Sequence, residues 1–237
     1  MLALPGSALL WLPAEDEGSM ILLDCARDVL CVTDVQPTFM PGGELPVSDG
    51  AAVVPVINRM LAAVFEHAIA TQDWHPADHM SFAELHPGEA PFSTIAMPYG
   101  PQTLWPRHAV QETPNAALHP ALATARIDLI IRKGFDRKID SYSAFFENDR
   151  TSATGLDGYL RARGIRRLFF AGLAMDFCVA WSAEDAALLG YEVFVIEDAC
   201  RAIALPRPEG GTTLSAARAR LGKLGVSFIM ESALVAK

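Results

Sequence analysis

Three side chains far apart in the chain make chemical sense together: the carboxylate of Asp34, the ammonium of Lys133 and the thiol of Cys178. A thiol attacks a carbonyl as its thiolate, so near neutral pH it needs a base to take the proton and a cation to favour the anion. Asp34 is the candidate base, able to return the proton to a leaving amine. Lys133 is the candidate cation, able to hold the thiolate and orient Asp34. Cys178 stands in Ala171-Gly-Leu-Ala-Met-Asp-Phe-Cys-Val179, between an apolar run and an amphipathic segment, which puts it in the first turn of a helix. The unpaired N–H groups and the positive end of the macrodipole there favour a thiolate. The same amides could hold an oxyanion once sulfur has attacked. The bland alternative is a Lys–Asp ion pair beside a passive, buried cysteine.

A second constellation is Asp73-Trp-His75, with His79 and His108 in the stretch that follows. Such N and O ligands suit a divalent Zn, Fe or Mn ion, zinc foremost. His67, His86 and His119 have no comparable company and read as structural.

The elements that must position these groups alternate. Short apolar runs at 28–34, 68–73, 127–132, 168–171, 191–196 and, more weakly, 226–230 read as strands. Amphipathic stretches at 50–68, 156–163, 179–190 and 213–224 read as helices. Near-continuous apolar strands alternating with helices predict an α/β fold in three layers, with a mainly parallel six-stranded sheet covered on both faces. Ligands bind such sheets beyond the carboxyl ends of the strands. Asp34 ends the first strand, Asp73 and His75 the second and Lys133 the third, while Cys178 lies just past the fourth. Residues 75–120 are rich in Pro, Gly, His and Ser with little periodicity, as expected of a functional loop. No internal repeat or linker divides the chain, so 20–237 is expected to form one domain. Cys25, Cys31 and Cys200 read as structural, Cys31 inside the first strand and Cys200 just past the fifth.

The net charge of −9 and the lack of any Lys/Arg run argue against nucleic acid or an anionic membrane as partner. The four cysteines have no framework or CxxC spacing, which fits a reducing, cytoplasmic setting. No apolar run reaches the ~18–20 residues of a membrane span. Residues 1–19 carry an apolar stretch without a basic start, broken by Pro5-Gly6 and followed by acidic residues. They read as a poorly ordered extension, or an upstream start before Met20, rather than a signal peptide.

At this point the chain resembles a known family. Val32-Thr-Asp-Val-Gln-Pro-Thr-Phe39, Gln72-Asp-Trp-His-Pro76, Leu104-Trp-Pro-Arg-His108, Arg132-Lys-Gly134, Asp140-Ser-Tyr-Ser-Ala-Phe145 and Gly172-Leu-Ala-Met-Asp-Phe-Cys178 resemble the nicotinamidases and pyrazinamidases. These form a metal-bearing branch of the isochorismatase-like cysteine hydrolases, with a Rossmann-like fold. The resemblance implies deamidation of nicotinamide to nicotinate and ammonia, for NAD salvage, and activity on pyrazinamide. It makes Asp34 the general base and acid, Lys133 its cationic partner and Cys178 the nucleophile that forms a thioester. It gives Asp73, His75 and His108 as metal ligands and leaves the role of His79 open. It places Phe39 and Trp105 on either side of the pyridine ring, with Tyr142 in the pocket. It puts the oxyanion hole at the amides of Ala174 and Cys178, with a cis peptide at Leu173–Ala174. Two positions depart from the family's pattern: Arg107 stands where a neutral or acidic residue is common, and Met175 where Thr is frequent. Arg107 raises the question of a cation at the pocket mouth, which would favour anionic substrates.

The alternatives are a metal-free amidohydrolase of the same superfamily acting on carbamoyl or ureido amides, and a non-catalytic binding module on this fold. The metal-ligand pattern argues against the first and the filled catalytic positions against the second. An isochorismatase proper would lack Cys178, and a structural zinc protein would need a closed four-ligand site. The oligomeric state, a homo-oligomer included, is left open.

Overall fold

The computed structural model describes residues 20–236, so the expectation for residues 1–19 lies outside the described residues. The six apolar runs form β1 (Asp28–Thr33), β2 (Ala68–Asp73), β3 (Leu129–Lys133), β4 (Arg167–Gly172), β5 (Glu192–Cys200) and β6 (Ser227–Ile229). They pair in the order β3-β2-β1-β4-β5-β6, every pairing parallel. Successive side chains of a strand point to opposite faces, so each strand feeds two cores. Leu30, Val32, Phe169 and Ala171 pack with Ile57, Met60 and Leu61 of helix α1 (Val53–Ala63) on one face. Val29, Cys31, Leu168 and Phe170 pack on the other with helices α2 (Leu156–Ala162), α3 (Ala180–Leu188) and α4 (Thr213–Lys223). Two covered faces explain why the central strands are continuously apolar rather than alternating.

Several boundaries depart from expectation. The helix expected over 50–68 starts as a 3-10 turn at Gly50–Ala52 and ends at Ala63. There the N–H groups of Val64 and Phe65 both donate to Met60 O, and Phe65 turns into the core, which leaves the chain free to enter β2. Strand β5 runs on to Cys200, opposite Gly172, so Cys200 lies within the strand and not past it. The expected strand over 226–230 is trimmed to three residues. The aperiodic stretch after His75 contains a short hairpin, Thr94–Met97 with Gly100–Thr103, that its composition conceals. Ile21–Leu22 adds a small parallel pairing with Leu234–Val235. Among the described residues no helix is long and apolar enough to cross a membrane.

Chain direction across the sheet reverses at the β1/β4 boundary, because β2 and β3 lie on one side and β5 and β6 on the other. Loops leaving two neighbouring strands in opposite directions open a crevice at their carboxyl ends. Asp34 follows β1 and Cys178 follows β4, on either side of that crevice.

Candidate active site

The Lys133 ammonium is fully buried and gathers the site around itself. Its Nζ lies 2.9 Å from Asp34 Oδ2 and 3.0 Å from Asp73 Oδ1. It also donates to Ser141 O at 3.0 Å and approaches Cys178 Sγ at 3.4 Å. Burial works against a charged amine, but Asp34 and Asp73 outweigh it and hold Lys133 well above the usual lysine range. Asp34 is also fully buried and sits at φ 47°, a left-handed backbone uncommon outside glycine, which turns its side chain from the strand into the crevice. Burial pushes its carboxyl up, against the pull of Lys133.

Cys178 lies in a π-helical turn, Met175–Val179, that leads directly into α3. Burial, reinforced by the negative charges of Asp34 and Asp73, pushes its thiol well above the ordinary range in spite of Lys133. This corrects the expectation of a thiolate favoured by the helix end. In a site this enclosed desolvation opposes the macrodipole and the single cation, so forming the thiolate calls for a neighbouring base. The peptide between Leu173 and Ala174 is cis. The amides of Met175, Phe177 and Val179 are engaged by Arg201 O and Ala174 O, while that of Ala174 has no partner among the described residues.

Asp73 divides its oxygens between two centres. Oδ1 faces Lys133, and Oδ2 meets His75 Nε2 at 3.1 Å and His108 Nε2 at 3.4 Å. The two imidazoles are fixed from behind: His75 Nδ1 bonds Gly134 O and His108 Nδ1 bonds Pro106 O, both at 2.8 Å. A backbone carbonyl accepts only from N–H, so in the neutral ring each Nε2 carries the lone pair a metal ion needs. One carboxylate oxygen and two such nitrogens, all within 4.8 Å of one another, fit a divalent cation of borderline softness. Burial opposes the Asp73 charge, but His75 and Lys133 hold its carboxylate well below the usual range, ready to ligate. His79 lies against His75 with ring centroids 4.3 Å apart and planes tilted by 38°, and its nitrogens lie 2.7 Å from Ser81 Oγ and 3.2 Å from Ile139 O. It joins His75 and Asp140 in a second group of convergent ligand atoms. Burial lowers its pKa to about 4, keeping the ring neutral.

Between the thiol and the Asp–His group lies a small cavity of about 20 Å³, bordered by Phe39, Trp105, Tyr142, Ala174, Cys178 and His108. Trp105 is locked edge-on against Phe177, centroids 4.9 Å apart, and its Nε1 donates to Tyr142 Oη at 3.2 Å. Leu45, Phe177, Asp140 and Ile203 also border the cavity, and sequence reasoning assigned none of them. Phe177 and Asp140 fall inside the motif blocks and could have been picked out there. Leu45 and Ile203 carry no local signal. Arg107 does not border the cavity: it is half-exposed and pairs with Glu84 at 3.2 Å, so its charge is met at the surface. Met175 is buried in the core away from the cavity wall.

Residues 28–219 match the isochorismatase domain family, and the chain belongs to that family. Within it, the chain is 55% identical over 174 residues to a nicotinamidase of Acinetobacter baylyi, a match covering 73% of this chain and 81% of that protein. Its fold superposes on PnC1 from L. infantum, solved in complex with nicotinate, with a TM-score of 0.79 and 39% identity over 92% of this chain and 100% of the other. It superposes on the pyrazinamidase of Pyrococcus horikoshii, solved in complex with zinc, with a TM-score of 0.63 and 30% identity over 86% and 99% of the two chains.

Proposed function

We propose that this chain is an amidohydrolase that converts nicotinamide to nicotinate and ammonia, in NAD salvage, with pyrazinamide as a second substrate. The observation that carries the reading is the reach of one buried ammonium, Lys133, to Asp34, Cys178 and Asp73 beneath an aromatic-walled cavity. In this reading Asp34 takes the proton from Cys178, the S–H bond breaks, and the sulfur lone pair attacks the carboxamide carbon. Lys133 steadies the charge as it moves from oxygen to sulfur. The amides of Ala174 and Cys178 face the tetrahedral oxyanion, each donor of this kind contributing ~2.7–4 kcal/mol in other enzymes. Asp34 then protonates the departing nitrogen, ammonia leaves, and a thioester remains on Cys178. Asp34 next takes a proton from water, the hydroxide adds to the thioester, and nicotinate leaves as the proton returns to sulfur.

Phe39 and Trp105 would hold the pyridine ring on its two faces and Tyr142 would close one side, so that the amide carbon sits over sulfur. Asp73, His75 and His108 would hold one divalent metal ion, zinc foremost with Fe or Mn as alternatives, and His79 stands ready as a further ligand through the group it forms with Asp140. Such an ion supplies Lewis acidity that binds and orients the ring nitrogen or a water on it. Support comes from the converging Nε2 atoms and the zinc held by the Pyrococcus horikoshii protein. Nicotinate in the L. infantum complex supports a small aromatic ligand. The four cysteines, without framework or CxxC spacing, accord with a cytoplasmic setting. The shared sheet accords with one domain over 20–237.

The test is ammonia release from nicotinamide before chelation, after it, and after metal is restored. Release that disappears with the chelator and returns with Zn, Fe or Mn supports enzyme and metal together. Release that ignores the chelator keeps the amidase and removes the ion from its site, and no release from metal-loaded protein refutes the reading.

A further inference from the structure

The Asp34 carboxylate has two oxygens, and a residue with no part in the motif blocks is bonded to one of them. Thr71 lies on β2, beside the carboxyl end of β1, where the register sets Val32 opposite Ala70. Its Oγ1 is 2.6 Å from Asp34 Oδ1 and accepts the Asp34 backbone N–H at 3.1 Å. A hydroxyl that accepts from an N–H has its single proton free to donate, and the nearest acceptor here is Oδ1. Asp34 Oδ1 thereby has a donor of its own. Asp34 Oδ2 has no hydrogen bond beyond its 2.9 Å contact with the Lys133 ammonium, which itself lies 3.4 Å from Cys178 Sγ.

We propose that Thr71 is a positioning residue for the thiol-deprotonation step, holding Asp34 so that Oδ2 is the oxygen that exchanges the proton with Cys178. The inference rests on the proposed function for its substrate, but not for its geometry. The proton leaves Sγ for Oδ2, the S–H electron pair stays on sulfur, and the Thr71 proton remains on its own oxygen throughout. Without the hydroxyl, Oδ1 would be a buried carboxylate oxygen with no donor. It would then compete for the Lys133 ammonium or for the proton itself, at the expense of delivery to Oδ2. Asp34 lies past the end of β1 in a left-handed backbone, where Thr71 and Lys133 hold the two oxygens of its carboxylate. Gln36 provides the reciprocal brace from the β1 side: its amide accepts from Asp73 N–H at 2.8 Å and donates to Asp73 O at 2.9 Å.

The decisive comparison is Thr71→Val against Thr71→Ser. Valine keeps the β-branched shape and loses the hydroxyl, whereas serine keeps the hydroxyl and loses a methyl group. A positioning role predicts that Thr71→Val lowers kcat for nicotinamide by about 10²-fold with KM within about twofold, and that Thr71→Ser restores kcat to within about threefold of wild type. Iodoacetamide alkylation of Cys178 at neutral pH should slow about tenfold in the valine variant and recover in the serine variant. A role in packing alone predicts the reverse order, with valine harmless and serine impaired, and that result overturns the proposal. So does a valine variant that raises KM and leaves kcat intact. Should the valine protein fail to fold, Thr71→Ala replaces it: serine well above alanine supports the lock, and equal losses refute it. If the wild-type protein releases no ammonia, the proposed function fails, while the alkylation series still decides the role of Thr71.

Discussion

Asp73 is the residue on which the two halves of the site depend. Its Oδ1 belongs to the Lys133 network and its Oδ2 to the histidines, so one carboxylate links the acid–base set to the metal-type ligands. Cys178, by contrast, lies against the first half, its Sγ 3.4 Å from Lys133 Nζ, and is not among the convergent ligand atoms of Asp73, His75 and His108. Removing the sulfur therefore leaves the ligand geometry intact. Cys178→Ala is expected to reduce ammonia release at least about 10³-fold while purified protein keeps the metal stoichiometry of wild type. Turnover near wild type would contradict a thioester on Cys178, and a loss of metal would show that the two halves are not separable as described. The residue scale also exposes the clearest difference between sequence and structure. The helix start around Cys178 was legible, but its consequence for the thiol was not, because the sign of the shift depends on burial, which no local motif encodes.

At the scale of elements, strand ends and the turns that follow them do the positioning. Gly134, directly after β3, has φ 65°, and a Cβ placed there would lie 2.4 Å from His75 Cε1 and 2.7 Å from His75 Nδ1. Its carbonyl is also the acceptor that fixes the His75 tautomer. Both facts need the chain to pass close to the imidazole in a conformation that only glycine adopts without strain. Gly134→Ala should therefore push His75 off its place, lowering metal affinity by about 10–100-fold and stability by about 1–3 kcal/mol. Equilibrium dialysis against zinc and urea unfolding of the variant would check both. Unchanged affinity would mean that the turn after β3 does not set His75. The alternation of strands and helices was readable from periodicity, and so was the placing of Asp34, Asp73 and Lys133 at strand ends. The early stop of α1 and the hairpin in the long loop were not. Each is set by tertiary contacts, the first by Phe65 turning into the core and the second by the pairing of a stretch with little hydrophobic pattern.

At the scale of the whole molecule, neighbouring residues of β4 anchor opposite cores. Phe169 is fully buried in the core beneath α1, and Phe170 is equally buried in the core beneath α2, α3 and α4. A sheet shared in this way should unfold as a unit. Phe169→Ala and Phe170→Ala are each expected to cost about 3–5 kcal/mol and to shift one common urea transition, followed by far-UV circular dichroism and by tryptophan fluorescence. Two separate transitions, each sensitive to only one of the substitutions, would contradict a single domain over 20–237. The carboxyl-end crevice between β1 and β4 inherits the rigidity of both cores, which is what a site needs if sulfur, base and ring are to meet within a few tenths of an ångström.

The sequence by itself determined which chemistry was on offer and on which strands it would stand. Residue type is intrinsic, and the period of an apolar run tells strand from helix before any tertiary contact forms. That was enough for the α/β fold, the carboxyl-end placement of Asp34, Asp73, Lys133 and Cys178, and the resemblance on which the functional reading rests. Only the tertiary structure decided which oxygen of Asp34 meets Thr71 and which meets Lys133, that Thr71 and Gln36 brace the two carboxylate-bearing strands, and that Arg107 turns to Glu84 instead of the cavity. It also supplied Leu45 and Ile203 as cavity walls. Thr71 and Asp34 are 37 positions apart, and so are Gln36 and Asp73. Such pairs are set by the register of parallel strands, which depends on how helices cover both faces of the sheet and so on the whole chain at once.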